Sequence, residues 1–453
     1  MDRLATFRAR ALERVAAGAY APRGEALEPN GPFAAAVRSG SGIVAELKPA
    51  SPSRGRLLRG PVDQVLAAYR AGGAAALSIL TDADHFGGSP ALLREAHAHG
   101  LPTLMKDFIV HEAQVACARH QGASAVLLVE RLFRGEPERR EELVRAAHAL
   151  GLEVLLELFD ADDWAAARGS AADLLGVNAR DLETLEVDEA DARTLLAEVA
   201  AHRPVLALSG IRRRPDARAA RRAGACGILV GTMLMEAPDP ELALRALRRP
   251  LSKVCGLRTQ AELADAARAG ADLAGLVVGA PQSPRDLPPL TAQRLADDAR
   301  ALGLRPVLVT PHADPWEVRE WCRLVRPAFV QVSGFRPEAA WVRSLRAIPT
   351  HVLEAVDGAA PGADSAGFVA DSPHGGLGGG TGQTHDWART LRLVEADPAR
   401  LSLVAGGLDA GNAAAALAAT GAWGADASSR LESAPGRKDP GKVAAFVQAV
   451  QGA

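Results

Sequence analysis

The chain has 453 residues, 48% of them apolar but only 4% aromatic, and a net charge of −2. That length calls for two large domains or three small ones, with cores built mostly of Ala, Leu and Val. The charge balance argues against a nucleic-acid or anionic-membrane surface, and the abundant Arg is interspersed with Asp and Glu as on solvated helix faces.

Taken in chain order, about Met1 to Ser41 holds no strand and reads as an extra N-terminal helix with a loop. Short apolar runs then alternate with Ala- and Arg-rich segments of helical period. The runs are "GIVAEL", "AAALSIL", "PTLMKD", "SAVLLVE", "LEVLLEL", "DLLGVN", "PVLALSG" and "CGILVGT". A βα alternation of this kind implies a parallel sheet. Eight units in about 250 residues fit a closed (βα)8 barrel better than an open sheet. The pattern restarts at "LSKVCGL" and continues through "DLAGLVVG", "RPVLVTP", "PAFVQVSG", "THVLEAV", "AGFVADS", "RLSLVAGG" and "AWGADASS". The fold class is therefore α/β, two tandem (βα)8 TIM barrels, over residues 1–250 and 251–453.

The halves share a rhyme. "SGI" at Ser209–Ile211 precedes "VGT" at Val230–Thr232, and "AGGL" at Ala405–Leu408 precedes "ASS" at Ala427–Ser429. Each pair falls after the seventh and eighth strands, where such barrels commonly cradle a phosphate on backbone N–H groups.

Strand C-termini line the mouth of such a barrel. In the first half they carry Glu46, Lys48, Lys106, Glu157, Asn178 and Ser209. Alternation turns Glu46 and Lys48 the same way. The chain's lysines are Lys48, Lys106, Lys253, Lys438 and Lys442, every other fixed cation being Arg. Arg does not release a proton near neutral pH, whereas a buried Lys can. Two lysines in one mouth thus point to proton transfer or to a compact charge for a carboxylate. The competing reading is a set of buried Lys–Glu pairs with a structural role, a costly arrangement. In the second half Cys255 and Asp371 end strands and suit paired base and acid work. Cys117, Cys226 and Cys322 read as apolar filler. No two cysteines form a C-x-x-C pair, so neither a zinc site nor a disulfide framework is expected, and the setting reads as a reducing cytoplasm.

"AELKPASPSRG", "ILTDADHFGGS", "LMKDFIV", "LLELFD", "LGVNARDL" and "LSGI", in this order, resemble indole-3-glycerol phosphate synthase. The resemblance implies closure of an indole ring with loss of CO2 and water. It makes Lys106 the general acid, Glu157 its partner in dehydration, and Lys48 the holder of the departing carboxylate. Glu46 and Asn178 position the substrate, Phe108 packs on its ring, and Arg180 and Ser209 belong to the same binding surface. Ser51, Gly210, Gly231 and Thr232 take the phosphate. Leu208 stands where the family has Glu, and Ala179 where it has a second Asn.

"KVCGL", "SPR", "VQVSG", "GGGTGQTHDW", "VAGGLDAGN" and "SSRLESAPGRKD" resemble phosphoribosylanthranilate isomerase. This implies an Amadori rearrangement with Cys255 as base and Asp371 as acid. Arg285 would hold the anthranilate carboxylate, and Gln331 lines the site. Gly380, Gly382, Gly406, Gly407, Ser428 and Ser429 would form the phosphate cradle. Ser333 replaces a family His, and Arg430 a small residue. Together the resemblances imply consecutive steps on phosphorylated anthranilate derivatives, without metal or organic cofactor, nucleic-acid partner or membrane, in a chain read as a monomer. The alternative, motivated by Leu208 and Ser333, is that only one half is active and the other is a degenerate scaffold or binding barrel.

Overall fold

The computed structural model describes residues 3–39, 42–52, 54–181, 186–312, 314–345, 348, 350–371 and 386–453. The chain divides into two compact units, Met1–Leu244 and Arg245–Ala453. The helix Pro240–Arg248 contains the division. Within the second unit, Arg245 and Arg249 reach Asp272, a buried carboxylate, at 3.6 and 2.7 Å.

In the first unit the strands are β1 (Ile43–Leu47), β2 (Ala76–Leu80), β3 (Thr103–Lys106), β4 (Ala125–Val129), β5 (Glu153–Leu158), β6 (Leu174–Asn178), β7 (Val205–Leu208) and β8 (Gly227–Val230). They are parallel, and β1 pairs with both β2 and β8, closing the barrel. The second unit repeats this with β9 (Leu251–Cys255), β10 (Leu273–Val277), β11 (Arg305–Thr310), β12 (Phe329–Val332), β13 (His351–Val356), β14 (Gly367–Ala370), β15 (Leu401–Val404) and β16 (Gly424–Ala427). There β9 closes on β16. Every strand expected from an apolar run is present. The runs are continuous rather than alternating because helices cover the outside while side chains fill the inside, so both faces are buried.

The N-terminal segment departs from expectation. It holds two helices, α1 (Arg3–Ala16) and α2 (Phe33–Ser39), where one was expected. Helix α2 is too short to announce itself by period, yet Phe33 and Val37 give it one apolar stripe. It lies against the N-terminal end of the barrel. A Cβ on Gly227 would come within 2.7 Å of Val37 Cγ1, and Ala34 N–H donates to Glu153 Oε2 at 2.7 Å. Helix α1 lies at the opposite, C-terminal end. Its Arg14 reaches Asp82 at 2.8 Å and Asp107 at 3.1 Å, in the loops after β2 and β3. Two small hairpins, residues 50–51 with 55–56 and residues 432–434 with 437–438, were also not foreseen.

Candidate active sites

In the first unit three strands deliver alternating charges to one mouth and a fourth adds an amide. Glu46, the fourth residue of β1, is buried, and Lys48 just beyond the strand places Nζ 2.8 Å from Glu46 Oε1. Lys106 ends β3 and stands 3.5 Å from both Glu46 Oε2 and Glu157 Oε2. Asn178 ends β6, and its Nδ2 donates to Glu157 Oε1 at 3.1 Å. The five side chains thus form one line, Lys48–Glu46–Lys106–Glu157–Asn178.

The middle of that line is loose. A separation of 3.5 Å exceeds a firm N–H···O bond. Glu46 Oε2 and Glu157 Oε2 are both buried without a hydrogen-bond partner. Lys106, with three N–H donors, sits between two carboxylate oxygens that it attracts without fully satisfying. Burial pushes the Lys106 ammonium toward losing its proton, but Glu157 and Glu46 outweigh it and hold its pKa above the usual lysine value. Burial likewise opposes ionisation of Glu46, yet Lys48 and Lys106 together hold its carboxyl below the usual range. Both shifts favour the charged forms, an ammonium on Lys106 and a carboxylate on Glu46.

Local backbone explains the fit. A Cβ on Gly231 would meet Glu46 Oε1 at 2.3 Å, so only glycine leaves the carboxylate its place. Ser209 adopts φ +62°, one of two positive-φ non-glycine residues among those described, and Gly210 follows at +73°. Such backbone is costly for a residue with a Cβ and is typical of ligand loops. Thr232 opens a short helix directly after Gly231. Ser51 lies in the first hairpin, where its Oγ accepts from Arg54 N–H at 3.1 Å. Arg180 N–H donates to Asn178 Oδ1 at 2.9 Å, and burial with the nearby charge of Arg54 holds its guanidinium below the usual arginine value. One face of Phe108 is taken by Phe7 of α1, stacked at 4.3 Å and 8°. Leu208 is the register neighbour of Asn178 and lies over Gly176, whose Cβ would meet Leu208 Cδ1 at 2.7 Å.

In the second unit Cys255, Arg285, Gln331, Asp371, Gly406, Gly407, Ser428 and Ser429 line one cavity of about 660 Å³. Gly380 and Gly382 lie outside the described residues, as does most of "GGGTGQTHDW". Ser333 and Arg430, the departures from the isomerase pattern, are on the same wall. Gln331 Oε1 is buried without a partner. Arg285 is engaged by Glu432 at 2.7 Å through Nε and 2.9 Å through Nη2. Two of its five N–H donors are thereby used, leaving the Nη1 edge for another anion. A Cβ on Gly256 would collide with Arg285 Cδ at 2.5 Å, so that glycine admits the arginine stem. Burial pushes the Cys255 thiol up, while Lys253 and Lys438 act against that push.

Several participants were not foreseen. Lys253 pairs with Asp426 at 2.7 Å, and Lys438 pairs with Glu432 at 2.8 Å. The scarcity of lysine, which singled out Lys48 and Lys106, applies equally to these two. Arg14 and Phe7 carried no signal, because a charged amphipathic helix does not reveal which surface it covers.

Two (βα)8 barrels, each with ionisable side chains gathered at its strand ends, place the chain in the class of tandem TIM-barrel enzymes. Residues 20–247 match the model of indole-3-glycerol phosphate synthase, and residues 252–449 that of N-(5'-phosphoribosyl)anthranilate isomerase. The chain is 32% identical to the tryptophan biosynthesis protein TrpCF of Yersinia pestis, over 90% of this chain and 84% of that one. It is 42% identical to indole-3-glycerol phosphate synthase 2 of Streptomyces coelicolor, over 48% of this chain and 84% of that one. The crystal structure of TrpF from Jonesia denitrificans is 32% identical, covering 45% of this chain and 97% of that one, at a TM-score of 0.38. The chain belongs to the family of fused indole-3-glycerol phosphate synthases and phosphoribosylanthranilate isomerases, and catalyses two consecutive steps of tryptophan biosynthesis.

Proposed function

We propose that the isomerase works in residues 251–453 through Cys255 and Asp371. Asp371 protonates the ribose ring oxygen as the ring opens to an iminium. The Cys255 thiolate then takes the C2 proton. The C–H electron pair becomes the C1=C2 bond, the former C=N pair returns to nitrogen, and the resulting enamine tautomerises to the ketone. Arg285 offers its Nη1 edge to the anthranilate carboxylate. Gln331 orients the substrate, and the phosphate rests on Gly380, Gly382, Gly406, Gly407, Ser428 and Ser429. The shared cavity of Cys255, Asp371 and Arg285 supports this reading.

The synthase works in residues 1–250. Lys106 protonates the carbonyl oxygen of the aminodeoxyribulose phosphate as the ring closes, and Glu157 shuttles a proton during dehydration. Lys48 holds the carboxylate that leaves as CO2. Glu46 fixes both amines, Asn178 and Arg180 position the chain, and Phe108 backs the aromatic ring. Ser51, Ser209, Gly210, Gly231 and Thr232 receive the phosphate. The observation that carries this is Lys106, protonated and poised 3.5 Å from each of two buried carboxylates.

Among the described residues no helix is long and apolar enough to cross a membrane. The enzyme is proposed to act in the cytoplasm as a monomer, which agrees with four free cysteines and with the tandem fusion. Complementation of two tryptophan auxotrophs, one lacking each activity, tests the pair of assignments. Rescue of both is expected, and failure of either names an inactive half.

A further inference from the structure

Lys253 is fully buried inside the second barrel. It is the cross-strand partner of Asp426, and its Nζ lies 2.7 Å from Asp426 Oδ2. Asp426 Oδ1 is buried without a hydrogen-bond partner, and the residue lines the same cavity as Cys255. A buried ion pair of this kind adds little net stability over an apolar pair. Its position suggests another use. Cys255 follows Lys253 by two residues on β9, so both side chains share the inner face. From the loop after β16, Lys438 Nζ donates to the Ser428 carbonyl at 3.1 Å, and Ser428 Oγ donates to the Cys255 carbonyl at 3.1 Å.

We propose that Lys253, held by Asp426, is a positioning residue of the isomerase: its ammonium, beside Cys255 on the inner face of β9, eases loss of the thiol proton so that the sulfur can take the C2 proton, with Lys438 as a second cation. The inference rests on Cys255 being the base. The charged groups around the sulfur balance as follows. Burial is the largest influence and holds the thiol above its usual value; Lys253 opposes it most, Asp426 adds to it and Lys438 opposes it. Arg285 and Lys438 share the Glu432 carboxylate, so the three together carry one net positive charge, and Asp371 faces the sulfur's cavity from the loop after β14. A lysine serves here because a compact ammonium fits where a planar guanidinium does not.

The test is iodoacetamide labelling of Cys255 in the full chain, read by peptide mass spectrometry across pH, in the parent, Lys253→Met and Lys253→Met/Asp426→Asn. The double substitution removes both charges, so no lone carboxylate is left inside the barrel to unfold it. In Lys253→Met the labelling midpoint is expected to rise by about one pH unit, a rate about tenfold lower near neutrality. The double substitution gives a smaller rise, because Asp426 opposes Lys253. The acid limb of isomerase kcat/KM should move up with the midpoint, while KM changes little. A midpoint unmoved in the folded variants overturns the inference. Residual isomerase activity in Cys255→Ala would instead remove the base assignment, a result the labelling does not depend on.

Discussion

Lys106 and Glu157 face each other at 3.5 Å across the mouth of the first barrel, one at the end of β3 and the other near the end of β5. At that distance the two groups flank one spot in the mouth, and a substrate atom bound beside the pair is within reach of both acid and carboxylate. Lys106→Met should therefore lower synthase kcat by about 10²–10⁴-fold while leaving the isomerase unchanged, as general acid–base groups do. Parallel steady-state assays of the two half-reactions check this, and equal losses in both would point to unfolding.

Lys48 lies 2.8 Å from Glu46, which is wedged against Gly231. A planar guanidinium needs more room than an ammonium at that spot. Lys48→Arg should impair the synthase alone, with kcat/KM down about tenfold or more (about 1.4 kcal/mol). A variant indistinguishable from the parent would show that charge alone suffices there.

Leu208 fills the space over Gly176 beside Asn178, where the synthase family usually carries Glu. The apolar side chain removes a polar contact from a buried mouth. Leu208→Glu is expected to raise synthase kcat/KM several-fold. It should also lower stability by about 1–3 kcal/mol, the cost of burying an incompletely paired polar group. Equal turnover in both forms would mean that Leu208 plays no part in rate.

Arg14 pins α1 to Asp82 and Asp107, and Asp107 also accepts from Tyr20 at 2.9 Å and Thr81 at 2.7 Å. Arg14→Met takes the guanidinium from two buried carboxylates, although each keeps other hydrogen bonds. A loss of about 3–5 kcal/mol is expected, with a slower synthase because Asp107 adjoins Lys106. Urea denaturation and the synthase assay read the two effects. A loss below about 1 kcal/mol would make the pin a surface-type contact.

The pH dependence of stability follows from Glu46. Its folded pKa lies below the unfolded value of about 4.3. Its contribution is therefore fully present above that value and is lost as pH falls through the lower folded one. The stability gap between the parent and Glu46→Gln should be widest near neutrality and close in acid. Urea melts at several acidic pH values check it, and a gap independent of pH would contradict the ionised assignment.

How far the sequence carried depended on what each residue announces. Strands such as "SAVLLVE" were legible because parallel barrel strands are buried on both faces and so are continuously apolar. Glu46, Lys106 and Glu157 were legible because a charge at the end of such a run has few structural excuses. Helix α2 was not, since seven residues make barely two turns. Nor was the stacking of Phe7 on Phe108, because a long-range contact leaves no local pattern. Lys253 had the same rarity as Lys48 but sits mid-strand, where rarity alone did not separate a site from a core. The Glu432 partner of Arg285 was hidden because the two meet only when the barrel closes.

The central claim, two independent sites in one chain, is tested most directly by supplying N-(5-phosphoribosyl)anthranilate to Cys255→Ala and Lys106→Met separately and then mixed. The account predicts no consumption by the first and accumulation of the aminodeoxyribulose phosphate by the second. The mixture should form indole-3-glycerol phosphate. Indole-3-glycerol phosphate from either variant alone, or none from the mixture, would contradict it.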